Sequence, residues 1–547
     1  MSDVFLIQPP IRDFYLTAKR TIPYGLACVG AGLRENGFSV ELFDGLAKKK
    51  SKIIDWPEEF SYLDPYYGTA DISPFGLFHH FRHFGYSFDH IAIAAKKSGA
   101  FIAGISSLFT CYCKEALKTA EAVKKRNPLC KIVMGGHHPT IMYEDVMANP
   151  AVDYVIRGEG EESMPELACA IKKGKNFEDV PGIVFRNAEK GLFVNPPAMV
   201  TSSDRILAPA SDLVKNSFYT RNKRGTQVVT ASRGCPMSCS YCCFGKNFPP
   251  YRRRSVTSVI EEIENYVNNH DAGFIDFEDE NLSMDKKWFT VLLTEICERF
   301  GEKNLELRAM NGLFPPTLDK KIIQLMKKAG FKVLNLSVGS FSKAQLARFN
   351  RPDVKKDLDR VLFDAKECGL DAVCYIIVGA PGQSTEKSVD DLLFLAERKV
   401  LAGVSVFYPA PGSADWDLCG KNGLMPETLS MTRSSAVPIA GNSTERRESL
   451  TLMRLGRISN FIKFLDDRKI RIPEPAPISD KAFTDPLDRV EAGVRLLAAF
   501  FYDSKIKGIT TDGKVFEHET DGRLCKKFIR RILKSVSEQD MRGAYKS

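Results

Sequence analysis

Short apolar runs alternate with stretches of helical periodicity through the first 175 residues. Val4 to Ile7, Ser39 to Phe43, Phe101 to Ile105, Lys131 to Met134 and Tyr154 to Ile156 read as strands, and Gly25 to Asn36 and Glu115 to Lys125 as helices. Apolar strands separated by amphipathic helices predict a parallel sheet covered on both faces. Gly37 stands where the first helix needs a left-handed cap. A second series runs through Gln227 to Ala231, Phe274 to Phe277, Leu305 to Met310, Val333 to Val338, Ala372 to Val378 and Gly403 to Phe407, with Thr257 to Val267, Leu318 to Lys328 and Lys355 to Glu367 among its helices. Six such units predict an incomplete barrel whose site lies at the carboxyl ends of its strands. Between the two series, Ile183 to Pro209 reads as a short hairpin and linker. Beyond residue 420 the pattern is helical, best at Glu445 to Asp466 and Leu487 to Tyr502.

At 547 residues the chain exceeds one compact core. The expected division is residues 1–176, a linker at 177–222, a barrel at 223–420 and a helical extension at 421–547. The N-terminus has neither a basic region nor a long apolar core, so no secretory leader is expected and the compartment reads as cytoplasmic. The apolar run Val494 to Tyr502 is far short of the roughly 20 residues that cross a bilayer and reads as a buried helix. The net charge of +9 gathers at Arg252, Arg253 and Arg254 and again at Arg523, Lys526, Lys527, Arg530, Arg531 and Lys534. Solvated faces are the default reading, with an anionic substrate or peripheral contact with an anionic membrane as the functional alternative. No nucleic-acid module accompanies the charge, so nucleic acid is not an expected partner.

Fourteen cysteines in a reducing compartment do not imply a disulfide framework. Cys28, Cys130, Cys169, Cys297, Cys368 and Cys374 fall in apolar segments and read as packing residues. Only the cluster after the strand at Gln227 has ligand spacing: Cys235, Cys239 and Cys242, followed at once by Cys243. C-x3-C-x2-C puts three thiolates on one loop, enough for three corners of a cubane with the fourth iron open, whereas ferredoxin clusters are ligated by four cysteines at other spacings. Four cysteines within nine residues could also close around zinc. Adjacent cysteines cannot easily point at one metal, so Cys243 is expected to pack under the loop.

The loops after the strands carry the remaining chemistry, because ligands of open α/β sheets sit beyond the carboxyl ends of the strands. In the first series they are Pro9-Pro10, Ser106-Ser107-Leu108-Phe109-Thr110, Gly135-Gly136-His137-His138-Pro139-Thr140 and Gly158-Glu159-Gly160-Glu161. Glycines permit close approach to a large flat ligand, and serines offer short hydrogen-bonding arms. No GxGxxG follows the first strand, which argues against a dinucleotide. His137 and His138 could ligate a metal but read more readily as loop-shaping residues; Cys111 and Cys113 read as packing. In the second series the turns are Glu278-Asp279-Glu280-Asn281, Asn311-Gly312, Gly339-Ser340-Phe341-Ser342, Gly379-Ala380-Pro381-Gly382 and Pro409-Ala410-Pro411-Gly412.

These features resemble the cobalamin-binding radical S-adenosylmethionine (SAM) superfamily. The cluster motif and the turns over about residues 225 to 415 are similar to the radical SAM domain. Tyr24-Gly25-Leu26-Ala27, the Gly-Gly-His loop and the Gly-Glu-Gly-Glu turn, within about residues 1 to 175, are similar to the cobalamin domain ahead of it. The resemblance implies an α/β fold: an N-terminal Rossmann-like cobalamin-binding domain, a partial (β/α)6 barrel and a helical extension that closes the barrel. It implies a [4Fe-4S] cluster on Cys235, Cys239 and Cys242, with SAM on the open iron cleaved to methionine and a 5′-deoxyadenosyl radical. Tyr241, Asp279, Asn281, Ser337 and Gly379 would contact SAM; Ser106, Ser107, Gly135, Gly136, His137, Gly158 and Glu159 would contact cobalamin. The Asp-x-His-x-x-Gly motif of methionine-synthase-type cobalamin domains is absent, so a histidine ligand to cobalt is not implied. The implied activity is C-methylation of an unactivated carbon in a small, anionic or lipid-like molecule, with a flavodoxin- or ferredoxin-type electron donor. A radical cyclase or rearrangement enzyme, as in anaerobic magnesium-protoporphyrin ester cyclases, is the alternative; a cobalamin or iron-sulfur sensor or electron carrier is a third.

Overall fold

The computed structural model describes residues 2–14, 22–187, 191–200, 206–248, 250–441, 445–479, 483 and 488–544. Five parallel strands, β1 (Val4–Gln8), β2 (Val40–Asp44), β3 (Ile102–Ser106), β4 (Lys131–Gly135) and β5 (Tyr154–Ile156), form the first sheet in the order β2-β1-β3-β4-β5. The near-continuous burial of β1, β3 and β5 is what helices on both faces require. One of these, Tyr24–Glu35, packs so closely on Gly160–Lys173 that a Cβ on Gly32 would lie 2.1 Å from the Glu161 carbonyl oxygen. The expected hairpin forms from β6 (Ile183–Asn187) and β7 (Gly191–Val194), but it extends this sheet antiparallel beyond β5 instead of bridging two domains. Residues 188–190 and 201–205 of that stretch lie outside the described residues.

The second series gives β8 (Arg224–Val229), β9 (Ala272–Phe277), β10 (Glu306–Arg308), β11 (Val333–Gly339), β12 (Asp371–Val378) and β13 (Leu401–Val406). β8, β9 and β10 pair in parallel, as do β11, β12 and β13, and bridges such as Leu307 to Phe331 join the two halves. Side-chain caps start the helices between them: Ser255, Asp285, Asp319 and Ser384 each accept a hydrogen bond from a first-turn N–H. The outer edge of β13 is covered by the extension. Asn460 of helix Arg446–Asp467 accepts from the Ala402 N–H and donates to its carbonyl, and Ser434 Oγ accepts from the Val406 N–H at 2.8 Å. An edge that would otherwise recruit another strand is thereby paired.

The extension continues as helices Arg489–Asp503 and Gly522–Ala544 with a small hairpin, 507–517, between them. Leu487, the expected start of the first of these helices, lies outside the described residues. No described helix is long and apolar enough to cross a membrane. The segment between β2 and β3 departs most from expectation. Phe60, Tyr67, Phe75 and Phe81 from it, with Phe14, are fully buried in the barrel-side core. Arg454 donates to the Phe75 and Tyr66 carbonyls, His518 meets Asp71 at 2.8 Å, and Tyr67 donates to the Ser435 carbonyl. This segment and the extension therefore form one plug beside the barrel.

Candidate functional site

The cluster loop begins where β8 ends. Gly234, at φ +81°, turns the chain into Cys235; Cys239 is buried, Cys242 exposed and Cys243 half-buried at the start of a short helix. Desolvation raises the Cys235 thiol, and shifts Cys242 the same way because its sulfur is crowded by the loop although the residue as a whole is exposed. Three thiols on one loop are a donor set that a cationic metal centre would ionise. Among the described residues no three His, Cys, Asp or Glu side chains converge as ligands of a single ion. A cubane does not ask for that convergence, since each thiolate binds a different iron corner.

The acidic turn after β9 holds this loop in place. Asp279, buried, accepts from the Ala231 and Ser232 N–H groups and from Ser232 Oγ, at 3.2, 2.5 and 2.5 Å. Glu280 accepts from the Gly234 N–H at 3.1 Å. Burial lifts the Asp279 carboxyl to about 7 against the hydrogen bonds that favour its anion. Asn281 donates to the Met284 sulfur at 3.5 Å, and its Oδ1 is buried without a partner. That acceptor beside the cluster loop fits the amino group of a bound SAM.

Tyr241 packs edge-on against Phe349, and its hydroxyl accepts from Arg351 Nη1 at 2.9 Å. The same Nη1 lies 3.7 Å from Cys239 Sγ, Nη2 donates to the Ser337 carbonyl, and Nε is buried without a partner. Arg351 is the residue that sequence reading misses, because it follows Asn350 in a turn with no motif. Its guanidinium, with an unused donor beside Cys239, fits a carboxylate on the open iron. Ser337 lies against Gly312, where a Cβ would come within 2.9 Å of the serine Cβ. Gly379, at φ +77°, has Ser449 of the extension 2.5 Å from where its Cβ would be. Tyr241, Asp279, Asn281 and Ser337 thus converge on the cluster loop, while Gly379 marks where the extension reaches the barrel.

The order β2-β1-β3 places a switch point between β1 and β3. Ser106 closes β3 in register with Gly135, and Ser107 Oγ is buried without a partner. Gly136, at φ +115°, sits so close that a Cβ would lie 2.7 Å from the Ser107 carbonyl oxygen. The orphaned serine and the bare glycine backbone fit a large ligand that carries amide groups. His137 and His138 are both held near 4 by burial and are neutral imidazoles. His138 meets Thr110 Oγ1 at 3.3 Å. His137 instead packs on Phe244 and Phe248, immediately after the cluster cysteines, and Asn247 donates to the Gly412 carbonyl. The glycine loop, the cluster loop and the turn after β13 therefore meet at one place.

Gly158 hydrogen-bonds through its N–H to Thr140 Oγ1. Glu159 is taken up between domains: it accepts from the Val200 N–H and pairs with Arg252 and with Arg233 at 3.3 Å, while Glu161 pairs with Arg233 at 2.5 Å. Arg252 and Arg254 are consequently not part of a solvated face, whereas Arg253 between them is exposed and pairs with Asp285 at 2.5 Å. Arg254 is 2% exposed and pairs with Glu262, which also accepts from Tyr266 and from Tyr24 of the first domain. Composition cannot reveal this: Glu159 and Tyr24 lie far away in sequence, and Glu262, eight residues on, meets Arg254 only once its helix packs on the barrel. Arg523, Lys527 and Arg531 pair with Glu448, Asp390 and Glu397.

Residues 229–395 match the model of the Radical SAM superfamily, and residues 78–168 that of the B12 binding domain. An uncharacterized methyltransferase of Pyrococcus horikoshii is 28% identical over 433 residues, covering 77% of this chain and 84% of that protein. The anaerobic magnesium-protoporphyrin IX monomethyl ester cyclase of Rubrivivax gelatinosus is 31% identical over 282 residues; the match spans half of each protein. Among solved structures, the cobalamin-dependent S-adenosylmethionine radical enzyme OxsB, with aqua-cobalamin and S-adenosylmethionine bound, superposes with a TM-score of 0.62 at 13% identity, covering 99% of this chain and 80% of that one. That likeness is one of fold.

Proposed function

This chain belongs to the radical SAM superfamily, in the group that carries a B12-binding domain, and from that we infer a methyltransferase acting on an unactivated carbon of a small molecule. When bound, the cluster supplies the electron that splits SAM and cobalamin supplies the methyl group. The protein's task is placement and exclusion of solvent. Cys235, Cys239 and Cys242 would hold the cluster, and Asp279 and Glu280 hold the loop that carries them. Arg351 and Asn281 would orient the two ends of the SAM amino acid, with Tyr241 beside the adenine. Ser106, Ser107, Gly135 and Gly136 would line the cobalamin side.

The observation that carries this reading is the meeting of His137 with Phe244 and Phe248, which brings the two cofactor regions onto one space. Both are needed there if one carbon is to lose a hydrogen and gain a methyl group. Methylation is preferred because the methyltransferase relative aligns along 84% of its length. The cyclase relative supports a radical cyclase as the second reading. The electron donor is expected to be a low-potential flavodoxin or ferredoxin type.

The test is anaerobic turnover with methyl-labelled SAM, cobalamin and a low-potential reductant on extract of a deletion strain. Methylation yields labelled product with deoxyadenosine and S-adenosylhomocysteine in near-equal amounts. Unlabelled product with deoxyadenosine alone rejects it and leaves the cyclase.

A further inference from the structure

Strand alternation divides each barrel strand into an outer face against the helices and an inner face. Ile275 and Phe277, Leu307 and Ala309, Leu334 and Leu336, and Cys374 and Ile376 all join the helix-side core. The residues between them, Asp276, Arg308, Asn335 and Tyr375, therefore face the lumen. They form one polar layer. Arg308 donates to Asp276 through Nε at 3.0 Å and through Nη2, and the Met310 N–H donates to the other Asp276 oxygen. Tyr375 lies over Gly403, where a Cβ would come within 2.4 Å of the ring, and its hydroxyl donates to Asn335 Oδ1 at 3.1 Å. Beneath the layer, Phe274 lies between the guanidiniums of Arg221 and Arg308, 4.5 and 5.1 Å from its ring centre, and closes the floor.

Two donors in this layer are unspent. Asn335 is 4% exposed, yet its Nδ2 is buried without a partner. Arg308 engages Asp276 by one edge only, and a third of its side chain remains exposed. Above it, Ser405 and Met310 are exposed, so the lumen is open towards the site. A buried amide donor left unmatched is destabilising, and an incoming acceptor would relieve it.

We propose that this layer binds a neutral carbonyl oxygen of the substrate, from an amide, ester or ketone, on Asn335 Nδ2 and the free Nη1 of Arg308. The proposal rests on the enzymatic reading above and adds what the substrate must carry. A carboxylate would satisfy the same donors, but Asp276 already neutralises Arg308, and a second buried anion would be left with its desolvation uncompensated.

The test uses reconstituted holoenzyme with N-methylacetamide in one arm and acetate in the other, read by saturation-transfer NMR titration and by crystal soaks. The expected result is N-methylacetamide with its oxygen on Asn335, acetate excluded, and affinity for the amide weakened roughly 2- to 10-fold in Asn335→Leu. Preferential binding of acetate overturns the neutral assignment; binding of neither probe, or undiminished binding in the variant, overturns the site. Should Asn335→Leu not fold, the comparison of the two probes in the unmodified protein still decides. Neither arm requires turnover, so failure of the methyltransferase reading, seen in the deoxyadenosine and S-adenosylhomocysteine assay, is separable from failure of this one.

Discussion

Cys235, Cys239 and Cys242 differ widely in exposure, but in the proposed function each would be one of three protein ligands. Alanine at any of them is expected to abolish the charge-transfer absorbance of the reconstituted cluster and all deoxyadenosine formation; Cys243→Ala, at the start of the following helix, is expected to spare both. Iron content that depends on Cys243 and not on one of the others would reverse the assignment. Arg351 makes a different kind of contribution. Its guanidinium touches Tyr241, Ser337 and Cys239 and keeps one donor unused. Arg351→Met is expected to weaken SAM binding by roughly 10- to 100-fold, the worth of a charge-assisted hydrogen bond, while leaving the cluster absorbance in place. Asp279 adds a pH dependence. Burial raises its carboxyl from 3.8 to about 7, so between those values the folded chain binds a proton that the unfolded chain has released. Unfolding free energy therefore falls as pH rises through this window. Urea denaturation at pH 5 and pH 8 should show a shallower fall in Asp279→Asn than in the unmodified protein.

At the scale of elements, strand periodicity and the turns after the strands were legible because each depends on neighbours in sequence. All the expected barrel strands form, and the acidic turn after β9 does reach the cluster loop. What was not legible depends on distant partners. Arg252 and Arg254 read as exposed charge until Glu159 and Tyr24 are seen beside them. The segment between β2 and β3 has no strong period of its own, yet it joins the core of the barrel side because aromatic residues such as Phe60 and Phe75 find their partners some 400 residues downstream, as Phe75 does in Phe461. Arg254 offers the test. Arg254→Met leaves Glu262 buried without its cation, and removing one partner of a buried pair costs about 3–5 kcal/mol. The expected outcome is a fall of that size in unfolding free energy, with much of it recovered in the double variant Arg254→Met, Glu262→Leu. No recovery would mean that the pair matters through packing instead.

At the scale of the whole molecule, buried polar contacts that tie the first domain to the rest include Tyr24 with Arg254 and Glu262, Glu159 and Glu161 with Arg233 and Arg252, and Asp13 with Arg433. The third joins the first domain to the extension, far from the cluster loop. Arg433 donates to the Arg12, Cys111 and Ser430 carbonyls and pairs with Asp13 at 3.2 Å, and Asp13 also accepts from Tyr112 and Ser435. Opening this contact should part the cobalamin side from the barrel without touching Cys235, Cys239 or Cys242. Splitting of SAM needs only the barrel, whereas methyl transfer needs both cofactors on one carbon, so the two by-products should respond differently. Arg433→Met is expected to keep deoxyadenosine formation and lower S-adenosylhomocysteine several-fold, moving a near-equal ratio towards deoxyadenosine. The milder Tyr112→Phe, which removes one hydrogen bond to Asp13 and leaves the ion pair, should shift the ratio less. Equal loss of both by-products in Arg433→Met, with the cluster absorbance intact, would show that docking of the first domain is required for SAM cleavage itself.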